Sequence, residues 1–245
     1  LKRLGTPLIE LQQVDSTNNY ATALAHAGRA THGTAVLAKA QTAGKGQRHK
    51  GWQAQPGANI TLSLILRPEG LQLAQAFTFS MAVALGVQRF FSRYAGAETF
   101  VKWPNDLFWR DRKAGGILIE NILSGSEWKW AIAGLGININ QTAFGPLADR
   151  AVSLLMITGK KWPIPDLVSA LFDSVGAALE ELQQDPAAII AAYHDVLYAR
   201  GQCVKLRKDS RVFEVEVIGV TPEGALRVRH GIEEQYQVGE VEWVF

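Results

Sequence analysis

Cysteine is nearly missing from this 245-residue chain: Cys203 is the only one. A lone thiol makes no internal disulfide and excludes Cys-x-x-Cys metal or redox pairs. That fits a reducing, cytoplasmic compartment. Charge of one sign is scarce as well. The formal net charge is +2, too weak to argue for nucleic acid, whose binders gather positive charge on one face. No stretch approaches ~18 uninterrupted apolar residues, so no membrane-spanning helix is expected. Leu1–Thr6 lacks the apolar core of a secretory signal. The histidines His26, His32, His49, His194 and His230 show no metal-ligand spacing. No Gly-x-Ser-x-Gly nucleophile elbow occurs, and there is no internal repeat.

What remains is a globular profile, 47% hydrophobic and 20% charged. A chain of this length buries roughly 70–75% of its unfolded surface without a disulfide or metal staple. Ser16 or Asp15 can cap a helix running to Ala27, with Gly28 as its stop. Strands are expected at Thr34–Lys39 and Asn59–Leu66, then a long buried helix over Leu73–Tyr94. Further strands are expected at Thr99–Trp103, Leu107–Arg110, Gly116–Ile122 and Trp128–Asn140. One helix should open at Pro165 or Asp166 and reach Leu182. The next should be capped by Asp185 and stopped by Gly201. Beyond Gly201 the texture changes to short strands at Cys203–Leu206, Arg211–Val220, Ala225–Arg229, Gln235–Val238 and Val241–Val244, separated by turn signals. The reading is a mixed α/β (α+β) domain over residues 1–200 and a small β-barrel over 201–245.

Four segments carry potential chemistry. Gly44-Lys45-Gly46-Gln47-Arg48-His49-Lys50-Gly51-Trp52 packs glycines and basic side chains into one loop. Backbone N–H groups there, with Lys and Arg, suit phosphate or carboxylate, although a solvated basic loop explains it as well. The loop is neither a Walker A motif nor a G-x-G-x-x-G fingerprint. Lys102-Trp103-Pro104-Asn105-Asp106 presents an ammonium, an amide and a carboxylate at a strand end. An ordinary Pro-Asn-Asp turn is the commoner cause of that spacing. Lys113 precedes Gly115-Gly116 at the entry to an apolar strand, where glycines leave room for a ligand. For any single lysine, a plain surface position is commoner. Gly134-Leu135-Gly136-Ile137-Asn138 puts glycines on one strand face and continues it with Asn138. Strand packing against a helix explains that pattern at least as well.

Taken together and in this order, the segments resemble the biotin–protein ligase family. The shared motifs are the glycine-rich basic loop with its following Trp, Lys-Trp-Pro-Asn-Asp, Lys-x-Gly-Gly-Ile-Leu-x-Glu and Gly-x-Gly-Ile-Asn. Ser16-Thr17-Asn18 and Gln41 match further family positions, and the resemblance covers essentially the whole chain. It departs at Lys45, where an Arg is usual, at His49 for a common Gly, and at Gln47, where some members have a second Arg. Arg and Lys are not equivalent in bidentate contacts.

The resemblance implies a class II synthetase-like biotin/lipoate ligase domain with flanking helices, and an SH3-like C-terminal barrel. It implies biotin and ATP as substrates, Mg²⁺, and a biotin carboxyl carrier protein as acceptor. Lys113 would bridge the biotin carboxylate and the α-phosphate, with Lys45 and Arg48 closing over the acyl-phosphate. Ser16, Thr17, Asn18, Gln41, Gly44, Lys45, Gly46 and Gln47 would contact biotin, and Gly116 and Leu118 would line its valeryl channel. Arg48, Trp52, Lys102, Asn105, Asp106 and Asn138 would contact ATP, with Trp52 and Asn138 at adenine and Asp106 at Mg²⁺. The glycine-rich loop is expected to order on the adenylate. No N-terminal helix-turn-helix is present, so no sequence-specific DNA binding is expected. The rival readings are a lipoate or octanoyl ligase, and a non-catalytic module that binds biotin or nucleic acid.

Overall fold

The computed structural model describes residues 3–49 and 51–245, so Lys50 of the basic loop lies outside the described residues. A seven-stranded sheet comprises β1 (Leu8–Val14), β2 (Thr34–Gln41), β3 (Ile60–Leu66), β4 (Thr99–Lys102), β5 (Asp106–Trp109), β6 (Arg112–Ser124) and β7 (Glu127–Ile137). Its order is β1-β2-β3-β7-β6-β5-β4. Only β1 and β2 pair in parallel, which makes the sheet mixed.

Strand periodicity assigns the two faces of this sheet different work. In β3, Ile60, Leu62, Leu64 and Leu66 enter the main core, under α2 (Ala76–Ala95) and α4 (Ile164–Gln184). Ile65 instead joins a smaller core with Ala21, Leu24 and Ala25 of α1 (Thr17–His26), on the opposite face. Thr61 and Ser63 share the parity of Ile65. In β7 the same alternation sends Ala133, Leu135 and Ile137 to the main core and leaves Gly134 and Gly136 facing away from it. Helices α2 and α4 approach closely because Gly86 has no side chain: a Cβ there would sit 2.7 Å from the Val175 Cα.

Most expected elements are present, with shifted ends. Ser16 has the extended backbone of a cap, but its side chain makes no capping bond. Asp185 accepts from the Ala187 and Ala188 amides and starts α5 (Pro186–Asp195), which stops six residues before Gly201. Strand β1 was not anticipated. Neither was α3 (Leu154–Thr158), capped by Ser153 and closed by Gly159 in the left-handed region.

The C-terminal antiparallel sheet contains β8 (Cys203–Lys208), β9 (Arg211–Val220), β10 (Leu226–His230), β11 (Ile232–Tyr236) and β12 (Glu242–Val244). Its order is β11-β10-β9-β8-β12, consistent with an SH3-like unit. Strand β11 begins three residues before the expected Gln235. Leu206, Val217 and Leu226 of this sheet belong to the same apolar cluster as the main core. Three further ties join it to the rest. The Trp103 indole N–H donates to the Gly224 carbonyl (2.9 Å), and the Thr78 hydroxyl donates to the Pro222 carbonyl (3.1 Å). The third is His194, whose Nε2 lies 3.0 Å from the Val220 amide and 2.9 Å from its carbonyl.

One ring nitrogen cannot both accept and donate at once. Burial is the main cause that holds the His194 imidazole below its ordinary pKa, with Arg200 and Arg227 adding to the effect. The folded protein therefore favours neutral His194. Its contribution to stability is complete above the unfolded value near 6.5 and is lost as pH falls below it. Thermal unfolding from about pH 8 to about pH 5 should show a steeper acid-side fall in Tm for the unmodified chain than for His194→Gln. Parallel curves would show that this contact is insensitive to protonation.

Candidate active site

The face bearing Thr61, Gly134 and Gly136 floors a cavity of about 780 Å³. The glycines are required by contact. A Cβ on Gly134 would lie 2.5 Å from Asn18 Oδ1, and one on Gly136 would lie 2.5 Å from the Trp52 ring. Gly116 and Leu118 of β6 extend the same floor.

One end of the cavity is polar and buried. Ser16, Thr17 and Asn18, at the start of α1, are each under 5% exposed. Gln41 Oε1 accepts from the Thr17 amide (2.7 Å) and the Thr17 hydroxyl (3.0 Å). Ser63 Oγ lies 2.8 Å from Thr17 Oγ1 and 2.6 Å from Asn18 Oδ1. Asn18 Nδ2 donates to Glu120 (2.7 Å) and, more weakly, to the Leu118 carbonyl.

The basic loop folds over the cavity as a hairpin-like turn. The Trp52 amide donates to the Gly44 carbonyl (2.9 Å), and Lys45 bridges Gly51. Gly44 has no room for a Cβ, which would meet the Trp52 carbonyl at 2.4 Å. Lys45, Gly46, Gln47 and Arg48 line the cavity, whereas Gly44 does not. Arg48 is left-handed (φ 54°), with its guanidinium against Gly239 of the C-terminal sheet.

Lys113 is aimed by a backbone irregularity. Leu107 pairs with Gly115 and Phe108 with Lys113, so Ala114 is bulged out of the ladder. A bulge re-aims the side chains beside it, and here Lys113 Nζ comes over Gly116, 3.5 Å from the position a Cβ would take. The ammonium donates to Asp106 Oδ1 at 2.6 Å. The Lys113 backbone is locked: its amide donates to the Arg150 carbonyl, and its carbonyl accepts from the Val152 amide. Asn138 Nδ2 donates to the Val152 carbonyl (3.1 Å) and the Lys113 carbonyl (3.4 Å). Asn138 thus lies behind Lys113 and does not line the cavity. Asn105, which does, donates its side-chain amide to the Ile117 carbonyl (2.6 Å).

The C-terminal sheet supplies the far wall. Lys102 is 7% exposed, and its ammonium lies 5.1 Å from the Phe108 ring centre, 4.9 Å from Trp243 and 5.2 Å from Phe245. Rings with their faces to a cation offset part of the cost of burying it. Trp52 and Trp243, both lining residues, carry buried indole N–H groups with no protein acceptor. Such orphaned donors call for an explanation, and an oxygen-rich ligand supplies one. Among the described residues no group of three or more His, Cys, Asp or Glu gathers to hold a metal ion.

Residues 10–138 match the Biotin/lipoate A/B protein ligase family. The bifunctional ligase/repressor BirA of Escherichia coli is 30% identical over 97% of this chain and 74% of its own length. This chain belongs to that family. The BirA of Bacillus spizizenii is 36% identical over 64% of the chain and 49% of its own length, so the chain spans about half of that relative. A biotin protein ligase from Aquifex aeolicus, solved with biotin and ATP, has the same fold: TM-score 0.81, 24% identity, covering 100% of this chain and 99% of that one.

Thr61, Ser63 and the C-terminal residues Arg207, Gly239, Trp243 and Phe245 were not singled out from sequence, and Glu120 entered only as the last residue of the Lys-x-Gly-Gly-Ile-Leu-x-Glu motif, with no role assigned. For two of them a signal existed: Thr61 and Ser63 are the only polar residues in the strand Ile60–Leu66, two apart and so on one face.

The contact between Gly134 and Asn18 is directly testable. Gly134→Ala should cost about 1–3 kcal/mol in denaturant unfolding, as overpacking does. Adding Asn18→Ala, which removes the clashing amide, should recover part of that loss. Strict additivity would show that the two positions do not meet.

Proposed function

We propose that this chain is a biotin–protein ligase that activates biotin with ATP and passes the biotinyl group to a lysine of a biotin carboxyl carrier protein. The observation that carries the reading is Lys113, set by a bulge over a glycine floor in the same cavity that Ser16, Thr17, Asn18 and Gln41 line with hydrogen-bonding groups. In the first step the biotin carboxylate attacks the α-phosphate of ATP. A carboxylate–phosphorus mixed anhydride forms, and pyrophosphate leaves. In the second, the carrier lysine amine attacks the acyl carbon, and AMP leaves.

Both reactants of the first step are anions, so the protein must offset their repulsion. A cation at 4 Å from one of them contributes about 4 kcal/mol at an effective dielectric near 20, before desolvation. Lys113 would do this, and its hydrogen-bonded backbone would limit reorganisation during the step. Asp106 keeps Lys113 in place through one carboxylate oxygen. Its other oxygen suits a Mg²⁺ arriving with the phosphates, since Mg²⁺ is commonly held by one or two carboxylates plus substrate oxygens. There Mg²⁺ would neutralise phosphate charge. Lys45 and Arg48 would cover the acyl-phosphate and exclude water. Lys102 would attract the phosphates from the far wall.

The polar end favours biotin over the lipoyl or octanoyl alternative. Thr17, Asn18, Gln41 and Ser63 form a buried hydrogen-bonding cluster, which suits a ureido ring that needs partners when buried. An alkyl or dithiolane head would bring this end no hydrogen-bond partner in place of water. The division at residue 200 into a catalytic part and a C-terminal sheet that completes the wall is part of this reading, as is a cytoplasmic setting.

Radiolabelled biotin, Mg-ATP and a carrier domain should give a labelled carrier; lipoate should not compete. Lys113→Ala should cut biotin-dependent pyrophosphate exchange about 100- to 1,000-fold, and exchange near the unmodified rate would refute the assignment. Trp243→Leu should raise KM for ATP about 3- to 10-fold, the size of a lost cation–π contact, with biotin affinity unchanged. An unchanged KM would remove the C-terminal wall from the nucleotide site.

A further inference from the structure

Glu120 lies on β6, one strand position beyond Leu118 on the cavity face, yet it does not line the cavity. Its two carboxylate oxygens serve different masters. One accepts from Asn18 Nδ2 at 2.7 Å, and the other lies 3.6 Å from Lys45 Nζ. Asn18 is 3% exposed, its oxygen accepts from Ser63, and its amide fills the space where Gly134 lacks a side chain. An Asn amide can sit either way round in such a pocket. Here the Ser63 donor and the Glu120 acceptor fix one orientation.

The chain of contacts is closed. From Lys45 it runs through Glu120, Asn18, Ser63 and Thr17 to Gln41. Gln41 and Lys45 flank Gly44, where the basic loop begins, and a Cβ on Gly44 would strike the Gln41 amide at 2.7 Å. The buried head of the cavity is therefore tied to the loop on both sides. The two arms of Glu120 differ in weight. The bond to Asn18 satisfies a buried donor, whose loss is expensive. The contact with Lys45 joins side chains 43% and 38% exposed, and solvent screens it.

The geometry points to Glu120 as a positioning residue for biotin recognition: it orients the Asn18 amide and, secondarily, parks Lys45 beside the cavity. The inference rests on the proposed biotin-binding role of this cavity. Glu120 touches no substrate; it acts through Asn18.

Calorimetric titration of biotin into the full chain tests it. Glu120→Ala should weaken binding about 10- to 100-fold, the range for an orphaned buried donor. Glu120→Gln keeps a carbonyl for Asn18 and should restore affinity to within about fivefold of the unmodified chain, and that residual should vanish at high salt. In an Asn18→Ala background, Glu120→Ala should add nothing further. Unchanged binding by Glu120→Ala, a Gln variant as weak as Ala, or additivity with Asn18→Ala would each overturn the inference while leaving the proposed function standing. Failure of the unmodified chain to bind biotin would overturn the proposed function, and the inference with it.

Discussion

An ammonium held against a carboxylate over bare backbone is the feature on which this site depends. Lys113 reaches Asp106 because Ala114 is bulged from the ladder, and its ammonium lies over Gly116, 3.5 Å from where a Cβ would sit. Regular pairing would send Lys113 and Gly116 to opposite faces of β6, since side chains alternate along a strand. The backbone of Lys113 is gripped from the segment Arg150–Val152 and by Asn138. Rigid support of this kind lets a charged group meet developing charge without first reorganising.

The same floor constrains everything placed on it. Glycines at 134 and 136 let Asn18 and Trp52 descend to the sheet, closer than any side chain would permit. The polar end and the loop are thus positioned by what the strand lacks. This explains why strand β3, apolar on its core side, carries Thr61 and Ser63 on the other. A strand buried on both faces normally reads as a continuous hydrophobic run, so two hydroxyls of the same parity mark a face that packs against polar groups.

That parity was readable in the sequence, as were the long helix α2, the Asp185-Pro186 start of α5, and the motif residues that converge on the cavity. What was not readable has a common cause: it depends on contacts distant in the chain or on a register that no local pattern declares. Strand β1, with exposed Leu8 and polar Gln12 and Gln13, has the half-exposed pattern of an edge and no strong alternation. The bulge at Ala114 is a register slip visible only once β5 is paired. Gly134-Leu135-Gly136-Ile137-Asn138 correctly indicated a flat floor, yet Asn138 lies beyond the end of β7, and its Nδ2 turns to backbone carbonyls. The contributions of Trp243 and Phe245 require a sheet more than a hundred residues away to dock beside Lys102.

The charges of the C-terminal sheet bear on what that docked unit does. Lys205 lies opposite Glu214, Arg229 opposite Glu216 and Arg207 opposite Glu242 in register, and each pair is joined by an ion pair. Arg227, opposite Gln235, forms an ion pair diagonally with Glu233. A polyanion reaching any of these four cations would have to displace its carboxylate first, and the interleaved signs weaken any positive field that would steer it there. Arg207 and Glu242 also line the cavity, and Gly239 of the same sheet receives the Arg48 guanidinium from the basic loop. The sheet's charges cancel across its strands while its aromatic residues close a seam around Lys102. Its architecture therefore suits completion of the neighbouring cavity better than recruitment of nucleic acid.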